Sequence, residues 1–154
     1  MSPEEQLTVR TYIKLGSDFS TTSATAVDVT GLSFTPAANK QYEFEGMFLL
    51  RTATAIVGPR PGLAWPTGMT DGVAKLITPA SAAADLIVNG NINAAILMAV
   101  GGLPNTTQSW PGNLEGMVIA GASPSGTVKV QLASETAGTS VTMKAGSWLA
   151  YREI

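Results

Sequence analysis

The sequence predicts an all-β protein, an antiparallel β-sandwich or jelly roll, and three observations predict it. Gly and Pro recur every few residues, 16 and 9 of them in 154, and cut the chain into short pieces. Within those pieces apolar and polar residues alternate with period two, the signature of half-buried strands. Helix signals are nearly absent: Ala82-Ala83-Ala84 is the one helix-like scrap, and a single turn would exhaust it.

The elements follow in order. Residues 7–15 set Leu7, Val9, Ile13 and Leu15 against Thr8, Arg10, Tyr12 and Lys14. Residues 1–16 therefore read two ways, as a first strand or as a short N-terminal arm that adds a strand to a neighbouring sheet edge. Residues 17–154 form the sandwich domain. Strands are expected at 25–34, 41–53, 60–65, 73–78, 84–88, 92–100, 113–121, 127–133, 139–145 and 147–153. Gly31, Asn39-Lys40, Gly58-Pro59, Pro66-Thr67-Gly68, Gly101-Gly102 and Pro111-Gly112 supply the breaks. Ser123-Pro124-Ser125-Gly126 and Ala137-Gly138 read as hairpin turns. So many short antiparallel strands in one chain suit a double-sheet architecture. A chain of this length buries roughly 68–70% of its unfolded surface and needs no disulfide or metal staple.

Charge is the compositional oddity. Charged residues make up 13% of the chain, against about 25% in an ordinary soluble domain. Small neutral residues fill the gap, so part of the surface is expected to be covered by partners. Cys and His are both absent, which excludes the common zinc, iron–sulfur and haem ligand sets and the Ser-His-Asp and Cys-His nucleophiles. No cofactor and no enzymatic activity are expected. A net charge of -2 speaks against nucleic acid as a partner. The start, Met1-Ser2-Pro3-Glu4-Glu5-Gln6, is polar and acidic, unlike a secretory signal. The charge-free stretch 86–114 is too rich in Asn, Gly and Pro to insert in a membrane.

Strand parity carries the most information. Val128, Val130 and Leu132 alternate with Thr127, Lys129 and Gln131, and Val141, Met143 and Ala145 with Ser140, Thr142 and Lys144. These are one-sided strands with a wet outer face. The middle strands differ. In 41–51, Tyr42, Phe44, Phe48 and Leu50 share one face, yet Met47 and Leu49 follow Glu43 and Glu45 on the other. In 92–100, Ile92, Ile96, Met98 and Val100 oppose Ala95, Leu97 and Ala99. In 114–120, Leu114 and Val118 oppose Met117 and Ile119. A sandwich strand needs one apolar face, so a second asks for a second covering surface. A loop or the N-terminal segment would serve, but the low charge independently favours a subunit interface with closed symmetry. Candidate interface residues are Met47, Leu49, Leu97, Met117 and Ile119. Trp148 and Tyr151 join them, on opposite faces of the last strand, one bound for the core and the other for a neighbour.

Few constellations could carry chemistry. Glu43 and Glu45 share a strand face at roughly 7 Å, within the separation of a glycosidase pair, but such pairs are usually solvated. Asp18 and Asp28 flank a Ser/Thr run that lacks the dense carboxylates of a calcium site. Trp65 and Trp110 each sit beside a proline; in exposed loops they could stack on a host surface glycan, and at strand ends they would plug the sandwich. Arg51, Arg60 and Arg152 stand alone on apolar segments and require partners, among them Glu43, Glu45, Glu115 or Glu153.

The stretch from Ser17 to Pro36, with Asp28-Val29-Thr30-Gly31-Leu32-Ser33-Phe34 inside it, and the following Ala38-Asn39-Lys40-Gln41-Tyr42 resemble a β-rich domain of tailed-phage and prophage virion proteins. Gly62–Gly68, Val130–Glu135 and the ending Ala145–Ile154 resemble the same group. Many of its members resemble the trimeric jelly roll of the C1q and tumour-necrosis-factor type. The resemblance covers roughly 17–154 and rests on turns and strands, with no chemical signature. It implies a C1q/TNF-like homotrimer located in the virion, assembled in the host cytoplasm. Its partners would be the major capsid protein or another virion protein. No heptad or collagen-like stalk precedes the domain, which favours a capsid decoration or head-fibre protein over a tail-fibre tip. Leu7, Val9, Ile13 and Leu15 are the candidate capsid-docking arm. Trp65 and Trp110 are the candidate ligand loops of the receptor-binding alternative.

Overall fold

A computed structural model describes residues 9–81, 84–94, 96–98, 103 and 106–154. The chain folds into two antiparallel sheets packed as a sandwich, with no helix among the described residues. The strands are β1 (Thr11–Lys14), β2 (Phe19–Thr21), β3 (Val27–Phe34), β4 (Gln41–Thr52), β5 (Pro59–Ala64), β6 (Thr67–Ser81), β7 (Ala84–Asn91), β8 (Ile96–Leu97), β9 (Trp110–Ser125), β10 (Val128–Ser134), β11 (Val141–Met143) and β12 (Trp148–Glu153).

The first sheet runs β1-β12-β4-β9-β6-β7, with β11 pairing β4 and β2; the second runs β3-β10-β5-β8. Setting aside β2, β11 and the β6–β7 hairpin leaves eight strands in the orders β1-β12-β4-β9 and β3-β10-β5-β8. First pairs with last and second with second-to-last, which is the jelly roll. The hairpin of β6 and β7 is an addition that widens the first sheet beyond β9.

Alternation decides what fills the space between the sheets. Tyr42, Phe44, Phe48 and Leu50 of β4 point inward and are buried, as are Leu114 and Val118 of β9. Val128, Val130 and Leu132 meet them from β10, with Leu32 and Phe34 from β3. β4 has 12 residues and pairs along one side with β12 at its start and β11 at its end. The join between those two is a tight loop with Gly146 at φ 94°. There the fully buried Ser147 donates its Oγ to the Lys144 carbonyl at 2.8 Å and accepts the Leu49 N–H at 2.9 Å. A hydroxyl thus replaces the broken ladder bonds, as burial of a free N–H would be costly.

Several sequence expectations need correcting. The segments at 123–126 and 137–138 are not hairpin turns. Each links a strand of one sheet to a strand of the other, β9 to β10 and β10 to β11, as jelly-roll crossovers must. Pro111-Gly112 does not break β9, because Pro111 pairs only with Leu49 of β4 and lies beyond the last β6 partner, Asn113. With one side open, a missing N–H costs no ladder bond. Gly31 sits inside β3 at φ 96°, where the register with β10 shifts. β2 was hidden in a polar run: its Ser20 and Thr142 of β11 share a hydroxyl hydrogen bond of 2.7 Å. Of the strand expected at 92–100, Ile96–Leu97 alone among the described residues is in a sheet, and Ala95, Ala99 and Val100 lie outside the described residues.

Candidate assembly interface

The registers fix which side chains share the outer face of the first sheet. One row across it reads Trp148, Met47, Asn113, Ile77, Ile87 from β12 to β7. The next reads Ala150, Glu45, Glu115, Lys75, Asn89, with Tyr12 of β1 opposite Ala150. The third reads Arg152, Glu43, Met117, Val73, Asn91. A charged row is therefore bracketed by apolar side chains. Met47 is 41% exposed, Met117 39%, Val73 56%, Ile87 57% and Tyr12 63%. Large apolar groups grouped on one face in this way make it the candidate interface.

Two apolar clusters stand apart on this face. At the β1 end, Tyr12 leans on Trp148, ring centroids 5.6 Å apart and tilted by 55°, beside Met47. At the other end, Met117, Val73, Ile77 and Ile87 sit on β9, β6 and β7. Between them lies a hollow of about 510 Å³ lined by Arg10, Glu43, Glu45, Lys75, Glu115 and Met117, among others. A smaller hollow of about 230 Å³ adjoins Met47, Ile77, Asn113 and Trp148.

The charges of the second and third rows balance once Arg10 is counted. Arg10, just ahead of β1, crosses β12 where Ala150 is small and pairs with both Glu43 and Glu45, at 2.6 Å to the former. Arg152 Nε lies 2.5 Å from the same Glu43 oxygen. Lys75 pairs with Glu115 at 2.5 Å. Glu45 and Glu115 stand directly opposite on neighbouring strands, a like-charge pair that would be destabilising without these cations. The Arg152 guanidinium first, and then the hydrogen bond from Arg10, hold the Glu43 carboxyl below the usual range. Glu43 in turn raises the Arg10 guanidinium.

The sequence-predicted residues distribute unevenly. Met47, Leu49, Met117, Ile119 and Trp148 all belong to this outer face, Leu49 and Ile119 half-buried. Leu97 does not: it pairs with Gly62 on the outside of the second sheet, while Ile96 and Leu63 point inward. Tyr151 also leaves the set. It points inward and stacks on Phe34 at 4.4 Å with planes 10° apart, because Trp148 and Tyr151 have opposite parity and Trp148 took the outer side. Tyr12, Arg10, Val73, Ile77 and Ile87 escaped the sequence reading. The signal was present in β6, where Val73 and Ile77 alternate with Ala74 and Leu76, apolar on both faces.

The arm candidates divide as well. Ile13 packs against the core and Leu15 is part of it, since β1 pairs with β12 of the same chain. Val9 is exposed, and Leu7 lies outside the described residues. Trp65 lies in the link between β5 and β6 and Trp110 at the start of β9, both half-buried. Both pack against the core, Trp65 edge-on to Phe44 at 6.0 Å, and their ring nitrogens are buried.

The remaining charged candidates are occupied locally. Asp18 binds Lys144 and the Ala145 N–H, while Asp28 binds Lys129 and Gln131 on the second sheet. The two aspartates do not meet, and each carboxyl is held below its usual range by its lysine first. Arg51 donates to the Thr107 carbonyl and Arg60 to that of Met98. Glu43 and Glu45 share Arg10. Among the described residues no group of three or more Asp and Glu could hold a metal ion.

No protein-family model matches the sequence, and no curated protein matches it. Two solved structures of infectious bursal disease virus show a slight likeness. That of the Gt strain aligns with all of this chain and 41% of its own at 11% identity and a TM-score of 0.27. That of the Gx strain aligns with 99% of this chain and 41% of its own at 12% identity and a TM-score of 0.23. Likeness this slight carries neither activity nor partners across. Among the described residues no helix is long and apolar enough to cross a membrane.

Proposed function

We propose that this chain is a non-enzymatic structural subunit of a tailed-phage virion, a homotrimeric capsid decoration or head-fibre protein. The observation that carries the reading is the apolar outer face of the first sheet, on a jelly-roll frame whose core is already complete without it. An antiparallel sheet facing water keeps a polar outer side; this one supports burial against another subunit. The resemblance of roughly 17–154 to phage virion domains favours that location. The mechanism is adhesive. Each subunit contributes apolar face to the trimer, and three weak footprints on the major capsid protein act together through effective concentration.

Light scattering on the isolated protein tests the trimer. A mass of three times the 15.9 kDa chain is expected, and a monomer at micromolar concentration would overturn it. Copy number in purified particles tests the location: numbers comparable to the major capsid protein support decoration, and a few copies per particle would place the chain in the tail. Sedimentation with empty capsids tests docking, using deletion of 1–9 so that β1 is kept. Undiminished binding removes that segment from the mechanism. The receptor-binding alternative rests on Trp65 and Trp110, which are partly buried against the core.

A further inference from the structure

The trimer reading leaves open how copies meet, and the geometry of the first sheet points to an answer that rests on that reading. A closed ring is built from heterologous contacts, so each subunit must offer two different, complementary patches. The outer face carries two apolar clusters, Tyr12, Trp148 and Met47 at one end and Met117, Val73, Ile77 and Ile87 at the other. Trp148 and Ile87 are four strand steps apart in their shared row, roughly 19 Å at the usual interstrand spacing. We infer that the β6–β7 hairpin of one copy packs against the β1–β12–β4 end of the next, head to tail.

Three features of the molecule support a second copy as the occupant. Three carboxylates (Glu43, Glu45 and Glu115) are matched by three cations (Arg10, Arg152 and Lys75) within the chain. The middle of the face, between the two clusters, therefore carries no net charge. Another copy of the same face meets that middle without stranding a charge there. Next, the clusters differ in shape. Tyr12 and Trp148 form a ring-on-ring ridge, while Val73 lines the larger hollow and Ile77 the smaller. Finally, the hairpin is the part added to the eight-strand frame, and its outer side carries Val73 and Ile87, 56% and 57% exposed against 41% for Met47 and 39% for Met117.

Complementation tests the inference on the full chain. Variant one carries Tyr12→Asp and Met47→Asp; variant two carries Val73→Asp and Ile87→Asp. Each alone is expected to fall to one third of the wild-type mass. Mixed in equal amounts, they retain one intact junction between them and are expected to form a dimer of unlike variants. Two monomers that ignore each other would overturn the head-to-tail arrangement, as would trimers that survive either pair of changes. Dissociation by Leu97→Asp alone would move the interface to the second sheet and also overturn it. A wild-type monomer would instead defeat the trimer reading itself, which the light-scattering control reports separately. Thermal melting checks that each variant is folded. Should one not be, Val73→Thr with Ile87→Thr and Tyr12→Thr with Met47→Thr replace the aspartates under the same outcomes.

Discussion

The outer faces of the two sheets obey the same alternation and reach opposite results. On the second sheet, Lys129 and Gln131 of β10 both bind Asp28 of β3 at 2.8 and 2.7 Å, and the strand beyond them, β5, presents Arg60, Gly62 and Ala64 outward. Polar groups there satisfy one another or reach water. On the first sheet the same positions hold Met47, Met117, Val73 and Ile87, around carboxylates and cations that pair with one another. The difference teaches where the exposed apolar area resides. It is concentrated on one face of one sheet.

The largest expected effect breaks both sheets at once. Phe48 is fully buried in the core they share, so Phe48→Ala should cost about 3–5 kcal/mol in denaturant unfolding. A loss under about 1 kcal/mol would mean that the sheets do not pack through this residue. A smaller cost comes from close backbone approaches, one in each sheet. A Cβ at Gly116 would meet the Phe44 ring at 2.3 Å, and one at Gly62 the Ile96 carbonyl at 2.5 Å. Each Gly→Ala change should destabilise by about 1–3 kcal/mol. Gly62→Ala should also loosen β8 from β5, read as faster amide exchange at Leu63, while β4 and β9 keep their protection.

Charge pairs sharpen the comparison with small effects. Glu43→Gln on the first sheet and Asp28→Asn on the second each remove a partly exposed pair. Solvent screening limits the cost of each to about 0–1 kcal/mol at neutral pH, measured by melting. Their pH dependence has a definite sign. Both carboxyls are depressed on folding, Glu43 by Arg152 first and Asp28 by Lys129 first. The unfolded chain therefore takes up protons first as pH falls. The stabilisation is complete above the ordinary carboxylate range near 4 and fades as pH drops through the folded values. Wild type should lose stability below about pH 4 more steeply than the double variant. Parallel acid profiles would remove these two groups from the account.

Much of the fold is legible in the order of residues alone. Period-two alternation in β4, β10 and β12 marks the inner residues of those strands and, with them, the strand positions. The two-faced character of β4 and β9 is legible for the same reason. β2 is not, since Phe19-Ser20-Thr21 has the composition of a turn and becomes a strand only because β11 lies beside it. The 123–126 and 137–138 segments mislead because turn chemistry marks where a chain bends and not which sheet it bends toward.

By itself the sequence determined which side of each strand is apolar, and the absence of Cys and His that removes whole chemistries. Tertiary structure alone decided which outer faces coincide. Leu97 and Met117 look equivalent in sequence, yet one lies outside the second sheet and the other outside the first. Ile13 and Leu15 could have served an arm and were taken into the core by pairing with β12. Ion pairs such as Arg10 with Glu45, 35 residues apart, depend on registers that no local pattern encodes. Alternation is a property of one strand, whereas a face is a property of several strands brought side by side.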